Sequence, residues 1–223
     1  MKGFFVTGTD TDCGKTRVAV DLIRWLRDQG RTVAPYKPVA AGASINDGHW
    51  QNDDALALIG AAGGDWIYSE VNPYCFEAPV SPHLAARDTG GQVSLTLLQE
   101  GARRLAACAD CLVVEGAGGW LVPLSDSLDI ADLALALDLP VVLVVGLRLG
   151  CLNHARVSEQ AVLQSGARLA GWIASQVDPN MARVDENLET LRGKLQSPCL
   201  GVAPWGGDVQ WSPKFLKDPG CGL

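Results

Sequence analysis

Phe4-Phe5-Val6-Thr7-Gly8-Thr9-Asp10-Thr11-Asp12-Cys13-Gly14-Lys15-Thr16-Arg17 decides the fold. Phe4-Phe5-Val6 is a short apolar run, and Val18, Leu22 and Leu26, with Ala19 and Ile23, make an i, i+4 stripe that Gly30 can end. The stretch therefore reads strand, glycine turn, helix. The turn is G-x5-G-K-T, one residue longer than the common G-x4-G-K-[ST] phosphate loop. Glycines let the backbone wrap phosphate oxygens, and the helix N-terminus offers free N–H groups. Lys15 can neutralise β/γ-phosphate charge and the Thr16 hydroxyl can reach Mg²⁺. The plainer alternative is a strand-to-helix turn that happens to contain glycine.

Outward from this stretch, apolar runs alternate with helical patterns. Thr32 to Lys37 reads as a second strand. Leu95, Leu98, Ala102 and Leu105 give a helical face. Leu112-Val113-Val114 and Val141 to Val145 are continuous apolar runs, as expected of strands covered on both faces. A helix fits Asn153 to Gln164, a strand Leu169 to Ala174, a helix Asp185 to Leu195 and a strand Leu200 to Ala203. This alternation predicts an α/β fold, a doubly wound and mainly parallel sheet of the P-loop type, as one domain over 1–223. Ala41 to Asn52 reads as a functional loop. Ser212 to Leu223, with Pro, Gly and Lys, reads as a loosely held tail.

In such sheets ligands bind beyond the carboxyl ends of the strands, which selects three side chains. Glu115 follows Leu112-Val113-Val114 and precedes Gly116, Ala117 and Gly118, so it can hold Mg²⁺ or be an ordinary loop acid. Asp54 stands at a helix start, where a carboxylate suits either a metal or the helix dipole. Lys37 precedes Pro38 and is held extended. It can point into the crevice, although spacing alone favours a solvated lysine.

The 223 residues are 48% apolar and 19% charged, with formal net charge −7. No Lys/Arg run offers a nucleic acid the basic face it needs. The longest apolar run is well below the ~18 residues of a membrane span. Phe4 to Thr7 read straight into a strand, with no long apolar stretch after a basic start, so no signal peptide is expected. Seven cysteines at irregular spacing include one C-x-x-C, Cys108 and Cys111, without the second pair or histidines of a zinc site. These features predict a cytoplasmic protein with packed, reduced thiols and a small-molecule ligand.

The phosphate loop, Tyr36-Lys37-Pro38-Val39-Ala40, Val71-Asn72-Pro73-Tyr74, Val114-Glu115-Gly116-Ala117-Gly118-Gly119-Trp120, Leu149-Gly150-Cys151-Leu152-Asn153-His154-Ala155 and Gly171-Trp172-Ile173-Ala174 occur in this order. Together they resemble the dethiobiotin synthetase family as far as about Trp205. The resemblance implies a ligase that makes dethiobiotin from 7,8-diaminononanoate, CO₂ and ATP, with Mg²⁺, as a cytoplasmic homodimer with sites at the interface. It implies that Thr16, Asp54 and Glu115 hold Mg²⁺ and that Lys15 and Lys37 stabilise phosphates and carbamate. Asp12, Cys13, Gly14, Lys15, Thr16 and Arg17 would wrap the triphosphate, with Gly116, Ala117 and Gly118 beside them. Gly150, Cys151, Leu152 and Asn153 would bind the carboxylate tail of substrate held by the neighbouring subunit; the plainer reading of Asn153 is a helix cap. Pro204, Trp205 and Gly206 lie where the family makes adenine-side contacts.

Three positions depart from the family. Ala41 replaces a substrate-contacting serine, Asp12 replaces a glutamate, and Ser175 followed by Gln176 replaces an adenine-reading asparagine. Strand alternation would turn Gln176 away from Ser175. Two other readings stay open: another P-loop amidoligase, and a partitioning-type switch ATPase. The latter carries a lysine early in its phosphate loop, where this chain has Asp10.

Overall fold

The computed structural model describes residues 1–46 and 48–217. The first third runs β1 (Gly3–Gly8), α1 (Lys15–Asp28), β2 (Val33–Tyr36), β3 (Val39–Ala41), β4 (Ser44–Asn46), β5 (His49–Gln51), α2 (Asp53–Ala62) and α3 (Tyr68–Val71). Then follow β6 (Tyr74–Phe76), α4 (Pro82–Asp88), α5 (Leu95–Ala107), β7 (Cys111–Gly119), α6 (Ile130–Leu137) and β8 (Val141–Leu147). The chain continues with α7 (Cys151–Gln164), β9 (Leu169–Gln176), α8 (Val184–Lys194), β10 (Cys199–Ala203), β11 (Gln210–Trp211) and α9 (Pro213–Lys217).

The central sheet has the order β11-β10-β9-β8-β1-β7-β2. Its pairs are parallel except β10–β11. Strand alternation sorts the side chains. Phe4 and Val6 of β1, Val113 of β7 and Val142 and Val144 of β8 pack with Val18, Leu22 and Leu26 of α1. Phe5, Leu112 and Val114 face the other way, toward Leu98 and Ala102 of α5 and Leu133 and Leu137 of α6. Leu143 and Val145 continue that second face against α7 and α8. Both faces are covered, which is why the central strands are apolar throughout rather than alternating. The expected doubly wound fold is present. The chain moves from β1 out to β2, back to β7, and then across β1 to β8, so the order reverses at β1 and opens a crevice at its carboxyl end.

Three local expectations change. Ala41 to Asn52 is not a plain loop: β4 and β5 pair antiparallel within it, with Asn46 opposite His49. Helix α7 starts at Cys151, capped by Gly150 in the left-handed region (φ 98°), so Asn153 lies inside the helix and is not its cap. The expected loose tail is packed as far as it is described. Phe215 is 1% exposed. Its ring centroid lies 4.7 Å from that of Trp211, 4.9 Å from that of Trp25 and 6.0 Å from that of Phe4. Residues 218–223 of that expectation lie outside the described residues.

Phe215→Ala removes a ring from this cluster and is expected to lower unfolding free energy by about 2–4 kcal/mol, toward the low end for a buried Phe because a terminal helix can readjust. Urea denaturation measures it. A change below ~0.5 kcal/mol would mean that α9 adds nothing to the core.

Candidate active site

The carboxyl ends of β1, β2, β7 and β9 border one cleft of about 1010 Å³, whose lining includes Lys15, Lys37, Asp54, Glu115 and Ser175. The phosphate loop forms its floor. Gly14 caps α1 with φ 91°, a conformation that favours glycine, and a Cβ there would lie 2.2 Å from Ser175 Oγ. Asp12 also takes positive φ (55°), which Asp tolerates better than most residues. Lys15, 7% exposed, donates from Nζ to the Asp10 carbonyl at 2.8 Å. Arg148 at the end of β8 holds the loop from outside, donating to Asp10 Oδ2 at 2.8 Å.

Thr16, Lys37, Asp54 and Glu115 come together from four segments. Glu115 is fully buried. Its backbone pairs with Val6, beyond which the register breaks: β7 advances from Glu115 to Gly119 while β1 advances only from Val6 to Gly8. Lys37 Nζ donates to Glu115 Oε1 at 2.6 Å and to Asp54 Oδ2 at 2.8 Å. Thr16 Oγ1 lies 2.8 Å from Asp54 Oδ1 and 2.9 Å from Glu115 Oε1. A hydroxyl has one proton to give, so it can satisfy one of these oxygens at a time. Burial is the largest influence on the Lys37 ammonium and would depress its pKa. The charges of Glu115 and Asp54, with their hydrogen bonds, outweigh it and hold the pKa above the ordinary lysine value. For Asp54, burial raises the pKa, but the charge and hydrogen bond of Lys37 and the hydroxyl of Thr16 bring it below the ordinary aspartate value. Both groups are charged at neutral pH, so Lys37 is an electrostatic partner and not a proton acceptor.

Glu115 Oε2 is buried and has no hydrogen-bond partner among the described residues. An unpartnered carboxylate oxygen beside Asp54 and a threonine hydroxyl is an all-oxygen donor set of the kind a hard divalent cation takes. The residues fit the expected metal. No group of three or more His, Cys, Asp or Glu side chains suited to a metal occurs among the described residues. Cys108 is exposed, Cys111 is buried, and both are free thiols.

A second layer of polar residues, of which Asn72 belongs to Val71-Asn72-Pro73-Tyr74, orients this cluster. Asn52 caps α2 through bonds from the Asp54 and Ala55 amides, 3.1 and 3.4 Å. Its own N–H donates to Tyr68 Oη at 2.7 Å. Tyr68 in turn donates to Asn72 Oδ1 at 2.8 Å, and Asn72 Nδ2 donates to the Lys37 carbonyl at 2.7 Å. The strand end that carries Lys37 and the helix start that carries Asp54 are thus tied through one tyrosine. An asparagine directly before Asp53-Asp54 was the available signal for the cap; no periodicity marks Tyr68.

Other expected site residues are placed as follows. Asp12, Gly14, Arg17, Ala41, Ala117, Gly118 and Trp205 line the cleft. Cys13 is buried, with its thiol packed inward against Gly8, and does not line the cleft. Gly116 is buried in β7, and Pro204 and Gly206 flank Trp205 without lining the cleft. Arg17 does not turn its guanidinium to the loop. It donates to the carbonyls of Pro204 and Gly207. Ser175 is fully buried, its hydroxyl unpartnered among the described residues. Gln176, expected to face away, lines the same cleft, because β9 ends there and its side chain accepts from Trp205 N at 3.2 Å. Gly150, Cys151, Leu152 and Asn153 do not line the cleft of their own chain. No helix among the described residues is long and apolar enough to cross a membrane.

Residues 2–213 match a family profile described as AAA domain. Among solved structures, the septum site-determining protein MinD complexed with Mg-ADP, from Pyrococcus horikoshii, superposes with TM-score 0.56 at 17% identity, over 92% of this chain and 82% of that one. The cell division protein FtsY of Thermotoga maritima does so with TM-score 0.54 at 14% identity, over 95% and 65%. These likenesses show the fold. The sequence relatives are much nearer. The ATP-dependent dethiobiotin synthetase of Xanthomonas oryzae is 49% identical over 93% of this chain and 92% of its own length. That of Pseudomonas paraeruginosa is 50% identical over 92% and 90%, and that of Aromatoleum aromaticum 46% over 98% of both. With identity of this level spanning nearly the whole chain, and the phosphate loop, paired carboxylates and lysine in one cleft, the chain belongs to the ATP-dependent dethiobiotin synthetase family.

Proposed function

We propose that the cleft converts 7,8-diaminononanoate, CO₂ and ATP to dethiobiotin, ADP and phosphate. The observation that carries this reading is the convergence of Thr16, Lys37, Asp54 and Glu115 beside the phosphate loop. One substrate amine takes up CO₂ as a carbamate. A carbamate oxygen attacks the γ-phosphorus and ADP leaves. The second amine then attacks the carbonyl carbon of the mixed anhydride, closing the cyclic urea and releasing phosphate. The chain's own residues bind and neutralise. Gly14 and the first amides of α1 cradle phosphate oxygens, Lys15 adds a positive charge at the loop floor, and Lys37 holds its charge where carbamate and γ-phosphate meet. Thr16, Asp54 and Glu115 would hold Mg²⁺, which when bound neutralises phosphate charge. The competing amidoligase and switch readings lack support beyond the shared fold.

Mass spectrometry after incubation with diaminononanoate, bicarbonate and Mg-ATP tests the reading directly. Diamine-independent ATP hydrolysis as the sole activity would overturn it. Lys15→Ala and Lys37→Ala are each expected to cost at least ~100-fold in kcat, the scale of losing a partner to transition-state charge. Lys37→Ala should leave the KM for ATP within a few fold. It also strands a buried carboxylate, a loss of about 3–5 kcal/mol, so turnover is to be read per folded molecule. A near-normal kcat would make Lys37 a structural counter-ion only.

A homodimer completes the proposal. Leu149 is 96% exposed, and Leu121 and Val157 are 63% and 58% exposed. Leu121 and Val157 line one shallow groove, and Leu149 stands directly before Gly150 at the start of the same helix, α7. Exposed apolar side chains of this kind suit a protein partner, and a second copy would also bring Gly150, Cys151, Leu152 and Asn153 to a cleft. Leu149→Asp with Val157→Asp is expected to give a monomer with little activity by light scattering and assay. A fully active wild-type monomer would refute the shared site.

The base side follows from Ser175. An asparagine amide can pair with adenine through a donor and an acceptor; a buried serine hydroxyl cannot. ATP, CTP, GTP and UTP are therefore expected to have kcat/KM within about tenfold of one another, roughly 1.4 kcal/mol. Ser175→Asn should restore a preference for ATP. A wild-type preference for ATP above ~100-fold (about 2.8 kcal/mol) would show that adenine is read by other groups.

A further inference from the structure

Helix α1 begins in the phosphate loop, and its residues Arg17 and Asp21 are one turn apart on the same face. Both are turned to the segment between β10 and β11. Arg17 donates to the carbonyls of Pro204 and Gly207. Asp21 Oδ2 accepts from the Val209 amide at 2.9 Å. From the other side Gln176 accepts from the Trp205 amide. The connection that presents the half-exposed Trp205 to the cleft is therefore tied by its main chain at four points, three of them to α1.

Asp21 is the unusual member. It is 7% exposed in the middle of a helix, and Val209 beside it belongs to the core. The charged groups around it are Arg24, 3.5 Å away and mostly exposed, Arg17 and Asp208. A carboxylate in such a place costs free energy that an apolar residue would not, and it serves neither a phosphate nor the Thr16 cluster. What it does is hold one loop amide at a fixed distance from the helix that carries Lys15 and Thr16.

We propose that Asp21 is a positioning residue for nucleotide binding: it sets the loop from Pro204 to Val209 in register with the phosphate-loop helix, so that affinity for the base end of the nucleotide depends on it while affinity for the triphosphate does not. This rests on the reading that the base lies on the Trp205 side of the cleft. Arg17 shares the task from the first turn of α1. A departure from the family at Ser175 increases the weight this wall carries, since the loop is then the larger surface left for the base.

The test compares Mg-ATP with magnesium and inorganic tripolyphosphate, which has the phosphates and no base, by calorimetry on the full chain. Asp21→Ala, and Asp21→Leu as a variant that keeps the buried volume should Ala fail to fold, are expected to weaken ATP about tenfold, in line with losing a hydrogen bond to a charged group. They should leave tripolyphosphate within about twofold and kcat within about threefold, small changes on the tenfold scale. Asp21→Asn still accepts from Val209 and should stay near wild type for both ligands. Hydrogen exchange in residues 204–211 should quicken in the Ala or Leu protein and not in the Asn protein, with residues 8–17 unchanged. Equal weakening of both ligands, or none of either, would overturn the proposal. Trp205→Ala separates the underlying reading: if it leaves the ratio of ATP to tripolyphosphate affinity unchanged, the base does not lie there, whatever Asp21 does.

Discussion

The fully buried carboxylate of Glu115 is the constraint around which the site is organised. An ion moved out of water carries a penalty of several kcal/mol unless close partners replace the solvent. Here the replacement is the Lys37 ammonium at 2.6 Å and the Thr16 hydroxyl at 2.9 Å. Neither partner is near Glu115 in sequence. They meet it because β1, β2 and β7 are parallel neighbours whose carboxyl ends open on one crevice. The sheet supplies the placement, and the ion cluster in turn fixes the strand ends that an open sheet would leave to fray.

The same reasoning explains the outer ring of polar residues. Lys37 serves two carboxylates only while its strand end and the start of α2 hold their spacing. The Asn52–Tyr68–Asn72 chain fixes that spacing through main-chain atoms, and each link is within ordinary hydrogen-bond length. On the opposite wall, Arg17, Asp21 and Gln176 bind the main chain of the 204–209 connection in a comparable way. Side chains that address backbone groups define where a loop lies with little dependence on the loop's own side chains, so these connections can vary in sequence and keep their course.

The sheet, the phosphate loop and the strand-end position of Glu115 were legible in the sequence because each signal was local. The runs Leu112-Val113-Val114 and Val141 to Val145 announced strands covered on both faces, G-K-T announced the loop, and an acid at the end of an apolar run announced Glu115. Lys37 was legible only as an extended residue before proline; its pairing is a long-range fact, and spacing alone favoured solvent. Phe215 escaped for the same reason. One aromatic among Pro, Lys and Ser has no period, and its burial is set in large part by Trp25 and Phe4, at the other end of the chain. Arg17 was placed with the phosphates by its position in the motif, but its long side chain reaches past the loop to carbonyls that no local pattern could reveal. Gln176 was turned the wrong way by strand alternation, which fails where β9 ends.

Net charge and local charge also separate here. The chain as a whole is at −7, which argues against a polyanion partner, yet the cleft is assigned to a triphosphate. The lysines divide this work. Lys37 is already matched: with Asp54 and Glu115 it leaves the cluster one negative charge in excess, so the cluster by itself repels phosphate and suits a cation. Lys15 differs. Its ammonium rests on the neutral carbonyl of Asp10, so its charge is not cancelled by a bonded carboxylate. The amides at the start of α1 add a partial positive charge on the same side. On the proposed reading, attraction for the triphosphate would reside in the loop, and the carboxylates would accept phosphate nearby only together with a divalent cation. Under the proposed function, such an arrangement would favour the metal–nucleotide pair over either component alone, because the loop offers positive charge to the phosphates and the carboxylates offer negative charge to the cation.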